Sequence, residues 1–297
     1  MGETVIAALR QTRMFLELVR FSHTLFALPF ALASMLMAAQ GLPDWRTLGL
    51  ILLCMATARS SAMAFNRLAD VRYDAANPRT AQRHLPSGKL SKAQVLAFII
   101  FNGGLFLFGA ALLNRLAFVC ALPVWLFLLS YSFWKRYFWT CHLFLGAAIG
   151  MSPLGAWIAV RGEFALFPVL LGLMLLFWIA GFDIIYATQD EASDREQGLH
   201  SIPVQFGIDA ALRIALILHL AMLVTGIIVG FGFHLPWPWW ISQAACGLAL
   251  LFIHTLRKSS DLDRMNGDFF VANILVSLFC LTGIGCVVLV SGGFHAP

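Results

Sequence analysis

Long apolar runs alternate with short polar segments along the whole chain. A helix that crosses a bilayer needs about 20 predominantly apolar residues, and nine runs approach or exceed that length. They lie near 21–39, 47–69, 93–113, 115–133, 140–160, 165–188, 210–233, 236–256 and 269–291. We therefore predict an all-α integral membrane protein, a single polytopic domain over residues 1–297, with nine transmembrane helices.

Composition supports this prediction, because 60% of the residues are hydrophobic and only 12% are charged, against roughly 25% charged in soluble domains. Most basic residues fall on one side of the predicted topology: Arg10, Arg13, Arg20, Arg72, Arg79, Arg83, Lys89, Lys92, Lys135, Arg136, Arg195, Arg213, Arg257, Lys258 and Arg264. Arg46, Arg115 and Arg161 fall on the other side. The positive-inside rule then predicts a multi-pass protein of the cytoplasmic (inner) membrane with a cytoplasmic N-terminus.

This asymmetry indicates that the net charge of +5 reflects orientation in a bilayer and not binding to nucleic acid. The N-terminal basic residues precede an apolar run that lacks a clear cleavage site, so we expect a retained first span and not a signal peptide. The long loops, 72–92 and 189–209, both fall on the basic side. We expect the active site to face the cytoplasm there.

Two polar stripes end the second and sixth apolar runs, next to these loops. The first comprises Asn66, Asp70 and Asp74, and the second comprises Asp183, Tyr186, Asp190 and Asp194. Spacings of three and four residues place the members of each stripe on one face of a helix. A single Asp at a helix end is usually solvated or a cap, but two matched stripes in a chain this poor in charge indicate a functional site.

The carboxylates predict binding of Mg²⁺ together with a diphosphate. Carboxylates that face each other repel unless something positive lies between them, and Mg²⁺ prefers hard oxygen ligands supplied partly by substrate phosphates. The nearby basic residues have two interpretations each. Arg59 either holds a ligand carboxylate or pairs with an aspartate. Lys135, four residues after Tyr131, either meets diphosphate or extends to the interface, and Arg72, Arg79 and Arg83 either bind substrate or are ordinary loop charges.

Both stripes resemble family motifs. The segment NRLADVRYD (66–74) resembles the NxxxDxxxD motif, and DIIYATQDEASD (183–194) resembles the DxxYxxxDxxxD motif, of UbiA-type intramembrane aromatic prenyltransferases. The similarity extends to RTAQRHLPSGKLS, YSFWKR and GLHSIPVQFG, which follow in the family's order and spacing. It implies a nine-helix bundle around a central cavity that the two long cytoplasmic loops cap.

The resemblance also implies roles for single residues. Asn66, Asp70, Asp74, Asp190 and Asp194 would hold the diphosphate of a polyprenyl donor through Mg²⁺, with Asp183 and Tyr186 deeper in the cavity. Phosphate oxygens would be contacted by Arg72, Arg79, Arg83, Lys135 and Arg195. Tyr131 would be a further substrate-binding residue. Arg59 would take the carboxylate of a small aromatic acid acceptor, and Asp183 would be the base that removes its proton. Metal and cations would stabilise the leaving diphosphate while a ring carbon attacks the allylic carbon.

Two acceptors stay open within the family. 4-Hydroxybenzoate polyprenyltransferases of ubiquinone synthesis are one match, whereas AMAFNR and GLHSIP are nearer the enzymes of the futalosine route to menaquinone. Arg67 stands where the ubiquinone-type motif often has an acidic residue.

Two other classes of protein remain as alternatives. One is an ion-coupled transporter, since intramembrane carboxylates also form ion sites. Against it, the stripes lie toward one membrane face, and we expect unbroken spans there. The other is a lipid-linked transferase with a different kind of acceptor.

Overall fold

A computed structural model describes residues 14–19, 24–256 and 262–291. The basic residues Arg10, Arg13, Arg20, Arg257 and Lys258, and the side chain of Arg264, lie outside what it describes. The helices are α1 (Thr24–Ala39), α2 (Trp45–Ala69), α3 (Val71–Ala76), α4 (Lys92–Leu113), α5 (Arg115–Trp134), α6 (Cys141–Arg161), α7 (Leu166–Ala187), α8 (Glu191–Glu196), α9 (Ile202–Phe206), α10 (Ile208–Gly232), α11 (Trp237–Leu256) and α12 (Leu262–Val290).

The prediction of an all-α multi-pass membrane protein is confirmed. The described residues form helices and turns without a strand, and the predicted apolar runs overlap long helices. Seven helices in the described ranges are long and apolar enough to cross a membrane: α2, α4, α5, α6, α7, α10 and residues 271–290 of α12. The apolar part of α1, Ala27–Ala39, is shorter.

The main core forms around α7, whose side chains pack against α1, α6, α10, α11 and α12. Leu171, Met174, Leu175 and Trp178 of this helix are fully buried. The Trp178 ring stacks on Phe30 of α1 with a centroid separation of 5.7 Å. A helix that is apolar on all sides is expected to lie in the interior. The helix that carries the second acidic stripe is therefore largely buried, and its exposed apolar side chains are Leu166, Val169 and Leu173.

Small residues bring α6 and α7 into backbone contact. A Cβ atom added to Gly146 would overlap the carbonyl oxygen of Leu176, and one added to Gly150 would lie 2.6 Å from the carbonyl oxygen of Gly172. Small residues four apart permit such close approach between membrane helices, where packing and not hydrophobicity drives association. The contact fixes the separation between α6 and α7.

Both stripes cross a break in their helix, contrary to our expectation of unbroken spans. Asp70 lies between α2 and α3 with φ −95° and ψ 10°, and Asp190 lies between a 3₁₀ turn, Thr188–Asp190, and α8 with φ −103° and ψ 2°. These dihedral angles fall in the bridge region, which active-site residues often occupy. The breaks turn the later carboxylates, Asp74 and Asp194, back toward the protein, where both are buried.

Candidate active site

The two stripes meet through the loop that follows the first one. Arg79 Nε donates to Asp190 Oδ1 at 2.8 Å, and its Nη2 pairs with the second oxygen of the same carboxylate. Asn77 Nδ2 also donates to Asp190 Oδ1, at 3.2 Å. The Arg79 guanidinium lies 5.4 Å from the centroid of the Tyr186 ring, so it spans two members of the second stripe. The expected proximity of the first motif region to the second is therefore present in the fold.

Asp74 is held from its own side of the site. Arg83 Nη1 donates to its Oδ1 at 2.6 Å, and Thr80 Oγ1 donates to its backbone carbonyl at 2.9 Å. The other carboxylate oxygen, Oδ2, is buried and has no hydrogen-bond donor within the described ranges. A buried carboxylate oxygen without a donor is costly, and it offers an acceptor to a ligand.

Asp194 binds the lysine at the end of α5. Lys135 Nζ lies 2.8 Å from Asp194 Oδ1 and 2.7 Å from Oδ2. Burial, the largest single effect, lowers the pKa of Lys135, but the charge and the hydrogen bond of Asp194 and the other negative groups nearby together raise the pKa above its usual value. Lys135 therefore carries a full positive charge at neutral pH, which a diphosphate can share.

Asp70 has two partners of different kinds. Asn66 Nδ2 donates to its Oδ2 at 2.9 Å, and Arg136 Nη2 lies 3.2 Å from its Oδ1. Burial raises the pKa of Asp70, and the hydrogen bond from Arg136 opposes that shift. Arg136 also donates to the carbonyl of Ala69 at 2.7 Å. The first stripe is thus joined to the α5–α6 connection.

Asp183, deeper than the other carboxylates, is paired with a histidine. His142 Nδ1 lies 2.7 Å from Asp183 Oδ2, and the backbone N–H of Ile202 donates to His142 Nε2 at 3.3 Å. The side chain of His142 is 2% exposed, whereas that of Asp183 is 29% exposed. One side of the Asp183 carboxylate is therefore accessible.

An apolar cavity of about 350 Å³ lies between α2, α4, α5 and α6. Of the described residues that line it, Arg59 alone carries a charge, and Tyr131 and Ser152 are among the few polar ones. Arg59 Nε is buried without an acceptor in the part of the chain that the structure describes. Met63 and Tyr131 also line the cavity, and they precede Asn66 and Lys135 by about one helical turn. The cavity therefore reaches the level of the acidic residues.

Two of the expected phosphate ligands lie apart from this group. Arg195 is exposed, donates to Glu191 Oε1 at 2.9 Å and lies near the carbonyl of Val204. Arg72 is exposed and has no hydrogen bond or ion pair with any described residue. Both assignments remain predictions, but the structure does not bring either side chain to the carboxylates.

The carboxylates of the two stripes are the oxygen ligands that this site could offer to a metal ion. No group of three or more His, Cys, Asp or Glu side chains within residues 14–19, 24–256 and 262–291 is arranged to hold a metal ion alone. Each of the four motif carboxylates Asp70, Asp74, Asp190 and Asp194 instead faces a cation. Mg²⁺ is commonly held by one or two carboxylates plus substrate phosphates. The hard oxygens, with the unpartnered Asp74 Oδ2, fit a site of that kind.

Sequence reasoning missed three residues of the site: Asn77, Arg136 and His142. By sequence alone Arg136 is one more cytoplasmic charge, although the Lys-Arg pair at the end of an apolar run is a usable signal. His142 was a lone histidine in an apolar segment, and nothing in its local sequence pointed to Asp183.

Comparisons with known proteins agree with the fold and the motifs. The UbiA prenyltransferase family profile matches residues 27–275. The 4-hydroxybenzoate octaprenyltransferase of Alcanivorax borkumensis is 31% identical over 247 residues, which cover 82% of this chain and 84% of that protein. The enzyme of the same name from Photobacterium profundum is 28% identical over 291 residues, covering 95% and 99%.

Solved structures share the fold. The apo structure of a UbiA homologue from Aeropyrum pernix K1 has a TM-score of 0.80 and 29% identity, and the match covers 91% of this chain and 98% of that one. A UbiA homologue from Archaeoglobus fulgidus bound to GPP and Mg²⁺ has a TM-score of 0.74 at 19% identity, covering 93% and 99%. The prediction of an enzyme is confirmed, because the chain belongs to the UbiA prenyltransferase family and is a prenyltransferase.

Proposed function

We propose that this enzyme transfers a polyprenyl group from polyprenyl diphosphate to a small hydroxyaromatic acid, 4-hydroxybenzoate or a close relative, in the synthesis of a quinone. The observation that supports it most is the pairing of four motif carboxylates with four cations at the level where an apolar cavity begins. Such an arrangement suits a substrate with a charged head and an apolar tail. The relatives from Alcanivorax borkumensis and Photobacterium profundum are named 4-hydroxybenzoate octaprenyltransferases, which supports this proposal.

The diphosphate would bind among Arg79, Arg83 and Lys135. Each is now held by a carboxylate. Asn66, Asp70, Asp74, Asp190 and Asp194 would hold Mg²⁺, and Arg79, Arg83 and Lys135 would then exchange their carboxylate partners for phosphate oxygens. The ion supplies Lewis-acid stabilisation of the leaving diphosphate. Support comes from the free Asp74 Oδ2 and from the Archaeoglobus fulgidus homologue bound to GPP and Mg²⁺.

Arg59 would bind the acceptor's carboxylate. Its Nε–H has no described acceptor in the structure and the cavity around it is apolar, so an anionic ligand would supply the missing partner. A guanidinium contacts a carboxylate through two parallel hydrogen bonds. This would orient the aromatic ring relative to the allylic carbon.

The cavity wall on α5 would hold the prenyl chain. Ala117, Cys120, Ala121, Val124, Leu128 and Tyr131 line it. At 1.5 Å per residue, this stripe from 117 to 131 is about 21 Å long. The far part of the chain would leave sideways into the lipid.

The reaction would then proceed by substitution on the ring. The C–O bond to diphosphate breaks with its electron pair, the allylic carbon bonds to the ring carbon beside the phenolic oxygen, and Asp183 accepts the ring proton. Arg79, Arg83 and Lys135 stabilise the negative charge that develops on the leaving group. Exclusion of water protects the allylic cation. The loops 72–92 and 189–209 would provide it by capping the cavity.

We place this site on the cytoplasmic side of the inner membrane and propose nine membrane spans. The connections α2–α4, α5–α6 and α7–α10 carry several basic residues, as the positive-inside rule requires of cytoplasmic loops: Arg72, Arg79, Arg83, Lys89, Lys135, Arg136 and Arg195. The α11 helix packs its buried face, which includes Trp239, Cys246 and Ile253, against neighbouring membrane helices. With α11 and the shorter apolar helix α1 added to the seven, the spans would number nine.

The experiment is Mg²⁺-dependent release of diphosphate by purified protein, with geranyl diphosphate as donor and a panel of hydroxyaromatic acids as acceptors. We expect release that requires both Mg²⁺ and an acid, with 4-hydroxybenzoate among the best. If no member of the panel supports diphosphate release, the proposal of an aromatic acceptor is wrong. Release with the acceptors of the futalosine route but not with 4-hydroxybenzoate would assign the other branch of the family.

A further inference from the structure

We infer that His142 is a positioning residue for Asp183, and that it couples the orientation of this carboxylate to the attachment of the segment 199–202. The inference rests on the proposed role of Asp183 as proton acceptor. It goes beyond that proposal because the histidine, in the first turn of α6, belongs to neither acidic motif.

The hydrogen bonds determine which nitrogen of His142 carries the proton. A backbone N–H can only donate, so the contact from Ile202 at 3.3 Å requires a lone pair on Nε2. The ring proton of a neutral imidazole must then lie on Nδ1, from which it is donated to Asp183 Oδ2 at 2.7 Å. The backbone of one segment thereby selects the tautomer that serves the carboxylate.

This hydrogen bond determines which oxygen of Asp183 remains available to a substrate. Oδ2 is occupied by His142, whereas Oδ1 has no donor among the residues that the structure describes, and the side chain is 29% exposed. His142 itself is almost completely buried and cannot reach a substrate directly. It acts by fixing the rotation of the carboxylate, which leaves Oδ1 as the oxygen available to accept a proton.

The segment 199–202 is attached to the end of α5, to the start of α6 and to the preceding helix α8. The N–H of His200 donates to the carbonyl of Lys135 at 2.7 Å, and Cys141 Sγ lies 3.6 Å from the carbonyl of His200. Leu199 donates to the backbone carbonyl of Asp194 at 2.9 Å. The same short segment therefore contacts the diphosphate end, through Asp194, and the proton-accepting end, through His142.

Two substitutions of His142 test the roles of its two ring nitrogens separately. His142→Asn keeps a donor at the position of Nδ1 and removes the acceptor for Ile202, whereas His142→Gln keeps an amide oxygen near Nε2 and removes the donor to Asp183. Each is compared with wild type and with Ser34→Ala, which removes a buried hydrogen bond to the Pro153 carbonyl, also on α6 but away from the site. The steady-state rates use geranyl diphosphate and the best acceptor of the panel, and each protein's thermal unfolding in detergent is measured.

We expect His142→Gln to lower kcat by about 10- to 100-fold with an unchanged KM for geranyl diphosphate, and His142→Asn to lose much less. In an Asp183→Asn background, His142→Gln should cause no further loss of kcat, because groups that act as a unit are not additive. Equal losses in both backgrounds, equal losses for Asn and Gln, or a change confined to KM would overturn the inference. Wild-type inactivity across the panel would instead overturn the proposed function.

Discussion

Arg79 and Asp190 are 111 positions apart in the sequence, yet Arg79 Nε lies 2.8 Å from Asp190 Oδ1. This ion pair joins the loop after the first motif to the second motif. Because it occupies the region between the two stripes, a diphosphate that binds there must change the partner of Arg79. Substitution of Arg79 is therefore the most direct test of where the diphosphate binds.

Arg79→Ala should lower kcat/KM for geranyl diphosphate roughly 100-fold, as loss of one donor to a developing oxyanion does elsewhere. The control is Arg213→Ala, an exposed arginine near the start of α10 that is not assigned to the site. Diphosphate release is the measurement. Equal rates for the two variants would place the diphosphate away from Arg79.

Asp74→Asn should raise the Mg²⁺ concentration needed for half-maximal activity by about 10- to 100-fold. The substitution keeps the shape of the side chain but removes the negative charge from the unpartnered, buried Oδ2. A titration of diphosphate release with Mg²⁺ measures the effect. Asp209→Asn changes an exposed carboxylate and serves as control; a shared midpoint for both variants contradicts the metal assignment of Asp74.

Arg59→Ala should raise the KM of a carboxylate-bearing acceptor by about 10- to 100-fold, the cost of a lost charge-assisted hydrogen bond of about 1.5 to 3 kcal/mol. The KM for geranyl diphosphate should stay constant. An acceptor with a phenol but no carboxylate provides the matched control, because its KM should not depend on Arg59. The opposite pattern would move Arg59 to the diphosphate.

Ala121→Trp should shift the preference of the enzyme toward donors with shorter prenyl chains. Ala121 is 3% exposed and lines the cavity, and ten residues separate it from Tyr131, about 15 Å along the helix. An indole there would block long chains and leave geranyl diphosphate room. Competition between geranyl and octaprenyl diphosphate measures the preference. Leu122→Trp, on the exposed face of α5, should leave it unchanged.

Gly146→Ala should destabilise the protein by about 1 to 3 kcal/mol, since the new methyl group would overlap the backbone of Leu176. Gly104→Ala is the control, because nothing lies within 4 Å of a Cβ added there. Unfolding in detergent should separate the two variants. If both unfold together, α6 and α7 are not in the close contact described.

Hydrophobic pattern and motif spacing predicted the positions of the helices and the identity of the carboxylates. Both properties are local: an apolar run of sufficient length must be helical in a bilayer, and spacing by three or four residues determines which side chains share a helix face. The breaks at Asp70 and Asp190 were not predicted, since the same spacing fits a continuous helix and a helix interrupted by one residue.

The partners of the carboxylates also could not be read from the sequence. Arg79, Arg83, Lys135 and Arg136 were all visible as charges, but the choice of one carboxylate for each depends on how distant segments pack. His142 shows this most clearly, because its partners, Asp183 and Ile202, are 41 and 60 positions away. No local pattern connects positions so far apart.

The glycine contact between α6 and α7 fixes one side of the site, whereas the other side has no such backbone contact among the described residues and can adjust. His142 and Asp183 both belong to the pair of helices that are in close contact at Gly146 and Gly150, so the position of the carboxylate that we propose as proton acceptor does not depend on bound substrate. Adaptation to donors of different length and charge must then come from α2, α5 and the loop that carries Arg79. Evolution of new chain-length preferences should therefore change that side first and leave the contact between α6 and α7 intact.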